Sequence, residues 1–470
     1  MLNNNKIPPN PKQSKILSPK KRFDNFRLGF GMTTKCPGVY LKTFGCQMNI
    51  RDSEFVAGML ISKGFRLSGS MDDADVIVFN SCSVRKHAEE RLFGNIACLK
   101  SFKKKNPKLV IALMGCTAQA YGGKAMDRSP LIDIVCGTGN ETDLPRLIKD
   151  VLKKRCHIIA ADKVNEKKPE AFPKYREHKF KALVSISEGC NNFCSYCIVP
   201  YVRGRERFRD AKDVIREVKE LARRGFKEVL LLGQNVNSYK APGGKDFIKI
   251  LEDINKIKGI ERIRFMTSHP RDAHTELFRA MRDLDRVCEH LHLPLQSGSD
   301  RILKLMNRGY GSKKYLKLAE DYKRIVPGGS ITTDIIVGFP SESPGDFRKT
   351  CGVMKDIGFD SAYTFKYSPR VGTKSSELAD DVRSEVKASR LEFISRLQRG
   401  ISEERNRCFV DKTVEVLVEG ANKKDGAFLS GRTRTNKPAV FKGSGSLAGK
   451  LVDVEIESVT PYALKGRIAG

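Results

Sequence analysis

At 470 residues, and with roughly 150 residues per domain, the chain has room for about three domains, each able to bury its own core. It is 40% hydrophobic and 30% charged, and no apolar run approaches the ~20 residues of a membrane helix, so a soluble protein with no membrane partner is expected. A formal charge of +31 disfavours a small acidic or neutral molecule as the sole partner. It favours a polyanion, nucleic acid first, a fit that a ribosome-associated protein would share.

The 13 cysteines are too sparse for a secreted, disulfide-stapled fold, and no apolar signal segment precedes them. Both point to a reducing cytoplasm, with thiolates available for metal. Residues 1–35 read as a disordered basic arm, with Met32 a candidate start alongside Met1. From 36 to 160, β-branched runs (Val39 to Phe44, Val76 to Phe79, Leu109 to Leu113) alternate with helical stretches (Asp52 to Lys63, Arg85 to Lys104). That pattern predicts an α/β domain with a parallel sheet. The charged stretch 161–181 reads as a linker. Between 182 and 405, strands at Leu183 to Ile186, Val229 to Leu232, Ile263 to Phe265, Leu291 to Leu293, Ser330 to Val337 and Ala362 to Phe365 alternate with helices near 211–224, 247–258, 273–286, 313–325 and 344–356. This predicts a partial (β/α)6 barrel, two repeats short of a closed one. A helix over Leu391 to Glu404 follows, and 406–470 reads as a small antiparallel β module punctuated by glycines.

Directly after the first barrel strand, Glu188-Gly189-Cys190-Asn191-Asn192-Phe193-Cys194-Ser195-Tyr196-Cys197 brings three thiolates into one loop, the ligands that iron-sulfur clusters require. Three protein ligands on a four-iron cluster leave one iron open. A structural zinc site would recruit a fourth Cys or His, for which His178 and His269 are candidates. Barrel-like folds react at the carboxyl ends of their strands, which is where Cys190 falls. Cys46, Cys82 and Cys116 are far apart in sequence, yet each follows a predicted strand, so a parallel sheet would bring them to one crevice. Gly45 and Gly115 permit tight turns there. Burial as a small hydrophobe is the competing reading for this trio, and the reading for Cys36, Cys98, Cys136, Cys156, Cys288, Cys351 and Cys408.

These phrases, with Thr43-Phe44-Gly45-Cys46-Gln47-Met48-Asn49 and Gly233-Gln234-Asn235-Val236-Asn237-Ser238-Tyr239, resemble the radical S-adenosylmethionine (SAM) methylthiotransferases from Tyr40 to Arg467. The resemblance implies that Cys190, Cys194 and Cys197 hold a 4Fe-4S cluster whose open iron binds SAM and yields a 5'-deoxyadenosyl radical. It implies a second 4Fe-4S cluster on Cys46, Cys82 and Cys116 that presents a sulfur. One SAM would donate the methyl group and another would remove hydrogen from the acceptor, so that C–H becomes C–S–CH3. SAM contacts are implied for Gly233, Gln234 and Asn235, for Gln296 and Ser297, for Val337 and Gly338, and for Arg209. The chain departs from the family pattern at Ser81, Phe208 and Ser341, where Thr, Ser and Gly are usual.

The C-terminal module resembles the TRAM domain, an RNA-binding β-barrel. Lys423, Lys424, Arg432, Arg434, Asn436, Lys437 and Lys442 are then expected at RNA, with Gly431 to Asn436 gripping the anticodon arm; a plain solvated surface is the competing reading. Cys82-Ser83-Val84-Arg85-Lys86-His87-Ala88-Glu89 is similar to the branch acting on isopentenylated adenosine. The expectation is methylthiolation at C2 of N6-isopentenyladenosine beside the anticodon of tRNA, by a monomer served by an electron donor such as flavodoxin or ferredoxin and by a sulfur source. Other branches modify a ribosomal-protein aspartate or threonylcarbamoyl adenosine. Outside enzymes, the reading is an iron-sulfur RNA-binding protein.

Overall fold

The computed structural model describes residues 36–83, 86–161 and 172–469. The basic arm, residues 162–171 of the linker, Val84, Arg85 and Gly470 lie outside the described residues.

Val76 to Phe79 are consecutive and fully buried, as expected of a parallel strand covered on both faces. They belong to a six-stranded sheet of β1 (Gly38–Phe44), β2 (Arg66–Leu67), β3 (Val76–Ser81), β4 (Val110–Met114), β5 (Ile134–Cys136) and β6 (Ile158–Ala160), in the order β2-β1-β3-β4-β5-β6. All its pairings are parallel. The crossovers carry α1 (Gln47–Ser62), α2 (Lys86–Ala97), α3 (Lys100–Lys105), α4 (Cys116–Tyr121), α5 (Lys124–Arg128) and α6 (Leu144–Lys154). The helix expected over Arg85 to Lys104 is two helices, because the chain turns at Cys98 and Leu99 and drops Leu99 into the core.

The central region contains β7 (Lys181–Ser185), β8 (Ser187–Glu188), α7 (Val199–Arg203), β9 (Arg207–Phe208), α8 (Ala211–Arg223), β10 (Glu228–Leu232), α9 (Phe247–Asn255), β11 (Arg262–Met266), α10 (Thr275–Asp283), β12 (His290–His292), α11 (Asp300–Leu305), α12 (Ser312–Ile325), β13 (Ser330–Val337), α13 (Pro344–Ile357), β14 (Ser361–Lys366) and α14 (Ser384–Arg407). The strands form two parallel sheets, β11-β10-β7 and β12-β13-β14, joined by a bridge between Ile263 and Val287 into one open barrel wall. The antiparallel pair β8–β9 was not expected from the pattern. It pairs Ser187 with Phe208 and Glu188 with Arg207, closing the neck of the loop that carries the three cysteines.

β15 (Thr413–Ala421), β16 (Phe428–Thr433), β17 (Pro438–Lys442), β18 (Leu451–Thr460) and β19 (Ala463–Ile468) close into a barrel ordered β15-β16-β17-β19-β18. One end of it docks where the central strands begin. Arg262, fully buried, donates to the Arg432 carbonyl at 2.6 Å and to Glu415 Oε1 at 2.7 Å. Arg264 donates to the carbonyls of Thr433 and Arg434 at 2.7 and 2.8 Å. No helix among the described residues is long and apolar enough to cross a membrane.

Candidate functional site

β1, β3 and β4 are neighbours in register, so Cys46, Cys82 and Cys116 stand at adjacent carboxyl ends. A buried amide network shapes their turns. Asn49 Nδ2 donates to Asn80 Oδ1 at 3.0 Å, Asn80 Nδ2 donates to the Asn49 carbonyl at 2.8 Å, and the Cys46 thiol reaches Asn49 Oδ1 at 3.2 Å. Gly115 has φ +86 and ψ −159, and a Cβ there would lie 2.3 Å from Asn80 Oδ1. The Cys46 thiol is lowered to about 6, first by its hydrogen bond with Cys82 and further by the Arg203 charge, whereas burial raises Cys116.

In the second trio, Gly189 turns at φ +75 where a Cβ would meet the Arg205 carbonyl at 2.1 Å, so the loop neck admits only glycine. The Cys197 amide donates to the Cys194 carbonyl at 2.9 Å, and the Asn192 amide to Cys190 Sγ at 3.5 Å. Burial, then the neighbouring Cys194, pushes the Cys197 thiol up to about 12, and burial raises Cys190. Buried thiols facing one another are costly to ionise unless a cation sits among them, and a cationic cluster supplies that cation while taking each thiolate on a separate iron. Among the described residues no trio of Cys, His, Asp or Glu closes on a single-ion point. Of the two histidines expected as zinc candidates, His269 has its Nδ1 accepting from the Arg271 amide at 3.2 Å, and burial, then Arg308, holds it down to about 2.

The segment that follows Cys197 packs on the first trio at Cys116. Met48 at the start of α1 packs on Leu183, Leu230 and Leu232, and Cys116 packs with Ile198 and Val202, just beyond Cys197. Arg203 Nε donates to Cys116 Sγ at 3.2 Å and its Nη2 to Asp52 Oδ2 at 2.7 Å. On the other trio, Arg308 Nη1 donates to Cys194 Sγ at 3.2 Å and its Nε to the Tyr310 hydroxyl at 3.0 Å. Sequence reasoning assigned no role to Arg308. It sits in a loop turned by Asn307 at φ +56 and Gly309 at φ +68, where periodicity carries no signal.

Above the barrel, Gly233 leaves room for Ser187 Oγ, which would stand 2.3 Å from a Cβ. Asn235 Nδ2 donates to Asp272 at 2.7 Å. Ser187 Oγ, Gln234 Oε1, Asn235 Oδ1, both side-chain polar atoms of Asn237, Ser268 Oγ and His269 Nε2 are buried with no hydrogen-bond partner in the protein. Buried polar atoms of this kind want a ligand, and SAM, with its amino, carboxylate and ribose groups, fits them. Gln296 (φ +68) and Gly338 (φ +70) turn the chain beside the buried Ser297 and Val337, and the space a Cβ would need at Gly338 is taken by the Lys387 side chain. Arg209 Nη1 is held by the Ser185 carbonyl and Glu217 at 2.7 Å each, and its Nη2 has no partner. Thr267 and Ser268 were not anticipated, and His269 was singled out only as a zinc candidate; Thr267 sits at φ +74, a strained conformation for a β-branched residue. Ser341 adopts φ +64, which explains the usual glycine, and is steadied by Arg301 donating to its Oγ at 3.0 Å. Phe208 packs edge-on against Tyr239 with ring centroids 5.7 Å apart.

The basic residues of the β module divide between its two ends. Lys423, Lys424 and Lys442 are exposed at the free end, where β16 begins beside the end of β17. Arg434 instead grips Glu289 at 2.6 Å and the Val287 carbonyl, while Lys437 is buried against Asp360 at 2.7 Å and Asn406 at 2.8 Å. Arg432 Nη1 donates to the Asn436 carbonyl at 2.9 Å, and Asn436 turns the loop at φ +63. The loop from Gly431 to Lys437 thus docks on the central barrel, where Arg434 and Lys437 are engaged in intramolecular ion pairs. Cys36, Cys98 and Cys408 are exposed rather than buried hydrophobes; Cys136, Cys288 and Cys351 are buried.

Comparison with known proteins matches residues 38–137 to Uncharacterized protein family UPF0004, 184–353 to the Radical SAM superfamily and 408–469 to the TRAM domain. The tRNA-2-methylthio-N(6)-dimethylallyladenosine synthase of Thermoanaerobacter sp. (strain X514) is 47% identical over 433 residues, 91% of this chain and 92% of that protein. The chain belongs to this family of synthases. The synthase of the same name from Syntrophomonas wolfei is 46% identical over 428 residues, 91% of this chain and 96% of that protein. The solved radical S-adenosylmethionine methyltransferase TsrM of Kitasatospora setae shares the fold at TM-score 0.51 and 12% identity, covering 73% of this chain and 74% of that one. As a radical SAM methylthiotransferase, the chain uses SAM and 4Fe-4S clusters as cofactors.

Proposed function

We propose that the protein adds a methylthio group to C2 of N6-isopentenyladenosine beside the anticodon of tRNA. The observation that carries this reading is the placement of two cysteine trios across one domain interface, with Arg203 reaching from the loop of one to Cys116 of the other. A sulfur-bearing site opposite a radical-forming site is what replacing an unreactive C–H bond by C–S demands. Bound SAM and its cluster supply the radical and the second cluster the sulfur. The chain's own residues bind, orient and exclude water. Cys190, Cys194 and Cys197 hold one cluster and Cys46, Cys82 and Cys116 the other. Gly233, Gln234 and Asn235 take one side of SAM, Gln296, Ser297, Val337 and Gly338 the other, and Arg209 the base of the pocket. Lys423, Lys424 and Lys442 hold tRNA phosphates, leaving an unpaired anticodon-loop base free to flip into the crevice. A monomer in the cytoplasm, a flavodoxin or ferredoxin donor and a separate sulfur source complete the reading.

The test is anaerobic reconstitution with SAM, sulfide and reductant, followed by mass spectrometry of tRNA nucleosides. A methylthio adduct on isopentenyladenosine is expected. Cys194→Ala should abolish SAM cleavage, and Cys82→Ala should cleave SAM without sulfur transfer. Unmodified tRNA alongside a modified ribosomal protein would overturn the substrate, and absence of SAM cleavage would overturn the enzyme.

A further inference from the structure

We propose that Arg203, carried by the radical-SAM loop, sets the reduction potential of the cluster on the opposite domain by donating an N–H···S hydrogen bond to Cys116. The inference rests on reading Cys46, Cys82 and Cys116 as cluster ligands. The donor distance is 3.2 Å, and Arg203 is 4% exposed and Cys116 3% exposed, so the contact is shielded from water. A donor on a ligand sulfur stabilises the more negative, reduced cluster and raises its potential. The guanidinium keeps its proton at any accessible pH, so the effect does not switch off with pH.

The geometry adds a coupling. Gly204, the residue after Arg203, accepts from the Cys190 amide at 3.2 Å, so the arginine is fixed to the same loop as the other trio. Asp52 of α1 holds its Nη2 at 2.7 Å, and Arg51 lies 3.7 Å from Asp52 and 4.0 Å from Glu188, two residues before Cys190. A buried chain of ions thereby spans the gap between the trios, and Arg203 reaches Cys116 Sγ from it. Movement of the radical-SAM loop would lengthen the N–H···S bond and lower the potential of the facing cluster. Arg203 is in this sense a positioning residue, acting through Cys116.

The test uses the full-length chain with Cys190, Cys194 and Cys197 replaced by alanine, so that one cluster remains to be observed by electron paramagnetic resonance at controlled potential. Arg203→Met combined with Asp52→Asn neutralises the ion pair together, leaving the local net charge unchanged and removing the sulfur donor. At a fixed potential the reduced-to-oxidised ratio should fall about tenfold, equivalent to ~59 mV for one electron. Asp52→Asn alone should not lower the ratio, because the donor stays. Arg203→Lys, which keeps the charge, serves if the double variant fails to fold and should also lower the ratio. An unchanged ratio in folded, iron-loaded variants overturns the proposal, as does a folded variant that loads no iron, since Arg203 would then be purely structural. A background protein that binds no iron would instead sink the reading of Cys46, Cys82 and Cys116 as ligands.

Discussion

Gly115 shows how one missing side chain positions a cysteine. Its ψ of −159 at positive φ is a region that glycine alone occupies readily, and Asn80 fills the space a Cβ would need. Gly115→Ala should therefore cost about 1–3 kcal/mol in strain and displace Cys116 from its partners. Iron analysis after reconstitution should show about half the iron lost if two equal clusters load, with SAM cleavage retained. Gly64→Ala is the control: φ is +87, yet nothing lies within 4 Å of the added Cβ. It should cost only ~1 kcal/mol, measured by denaturation, and keep all its iron. The cysteines and their flanking glycines were legible because thiolate type and strand-end position are both written locally. Arg308 was not, nor were the surroundings of His269, because both depend on groups brought near by folding: the Cys194 sulfur for one, the Arg271 amide and Tyr310 ring for the other.

At the scale of elements, the strands were readable because a sheet buried on both faces writes continuous apolar runs, and β13 was expected at its observed bounds, Ser330–Val337. Helices at domain interfaces were read short. α1 begins at Gln47 rather than Asp52, since its first turns bury polar residues instead of presenting an apolar stripe: Asn49 and Ser53 against Asn80 of the same domain, and Arg51, Asp52 and Glu54 beside Glu188, Arg203 and Arg176. α14 begins at Ser384 for a similar reason: Lys387 and Arg390 are buried by pairing with Asp380 and Glu342. The ion pairs that replace apolar contacts make a testable claim. Arg176, its side chain 1% exposed, pairs with Glu54 of α1 at 2.9 Å and also with Glu217 of α8. It donates as well to the Leu183 carbonyl at 2.7 Å. Arg176→Met removes the cation shared by two buried carboxylates and should destabilise the domain junction by ~3–5 kcal/mol. The expected readout is an earlier transition in urea, with α1 losing amide-exchange protection first; an unchanged midpoint would refute the role.

For the whole molecule, the charge of +31 indicated a polyanionic partner, but charge along a sequence does not say which cations are spent inside the protein. Arg434 and Lys437 read as phosphate contacts because Glu289 and Asp360, their partners, lie far away in the chain. Folding brings them together, and one end of the β-barrel is used up in docking. The free end keeps Lys423, Lys424 and Lys442 exposed. The distinction is measurable through counterion release, since each phosphate contact contributes roughly 0.7–0.9 to the slope of log affinity against log salt. Replacing these three lysines by alanine should flatten that slope for tRNA by about two while leaving thermal stability and SAM cleavage intact. Arg434→Ala should do the reverse: it breaks the pair with Glu289, lowers the unfolding midpoint of the β module, and at temperatures where the module stays docked leaves the salt slope unchanged. If Arg434→Ala flattens the slope and the lysine variant does not, the assignment of docking and RNA-facing ends is inverted.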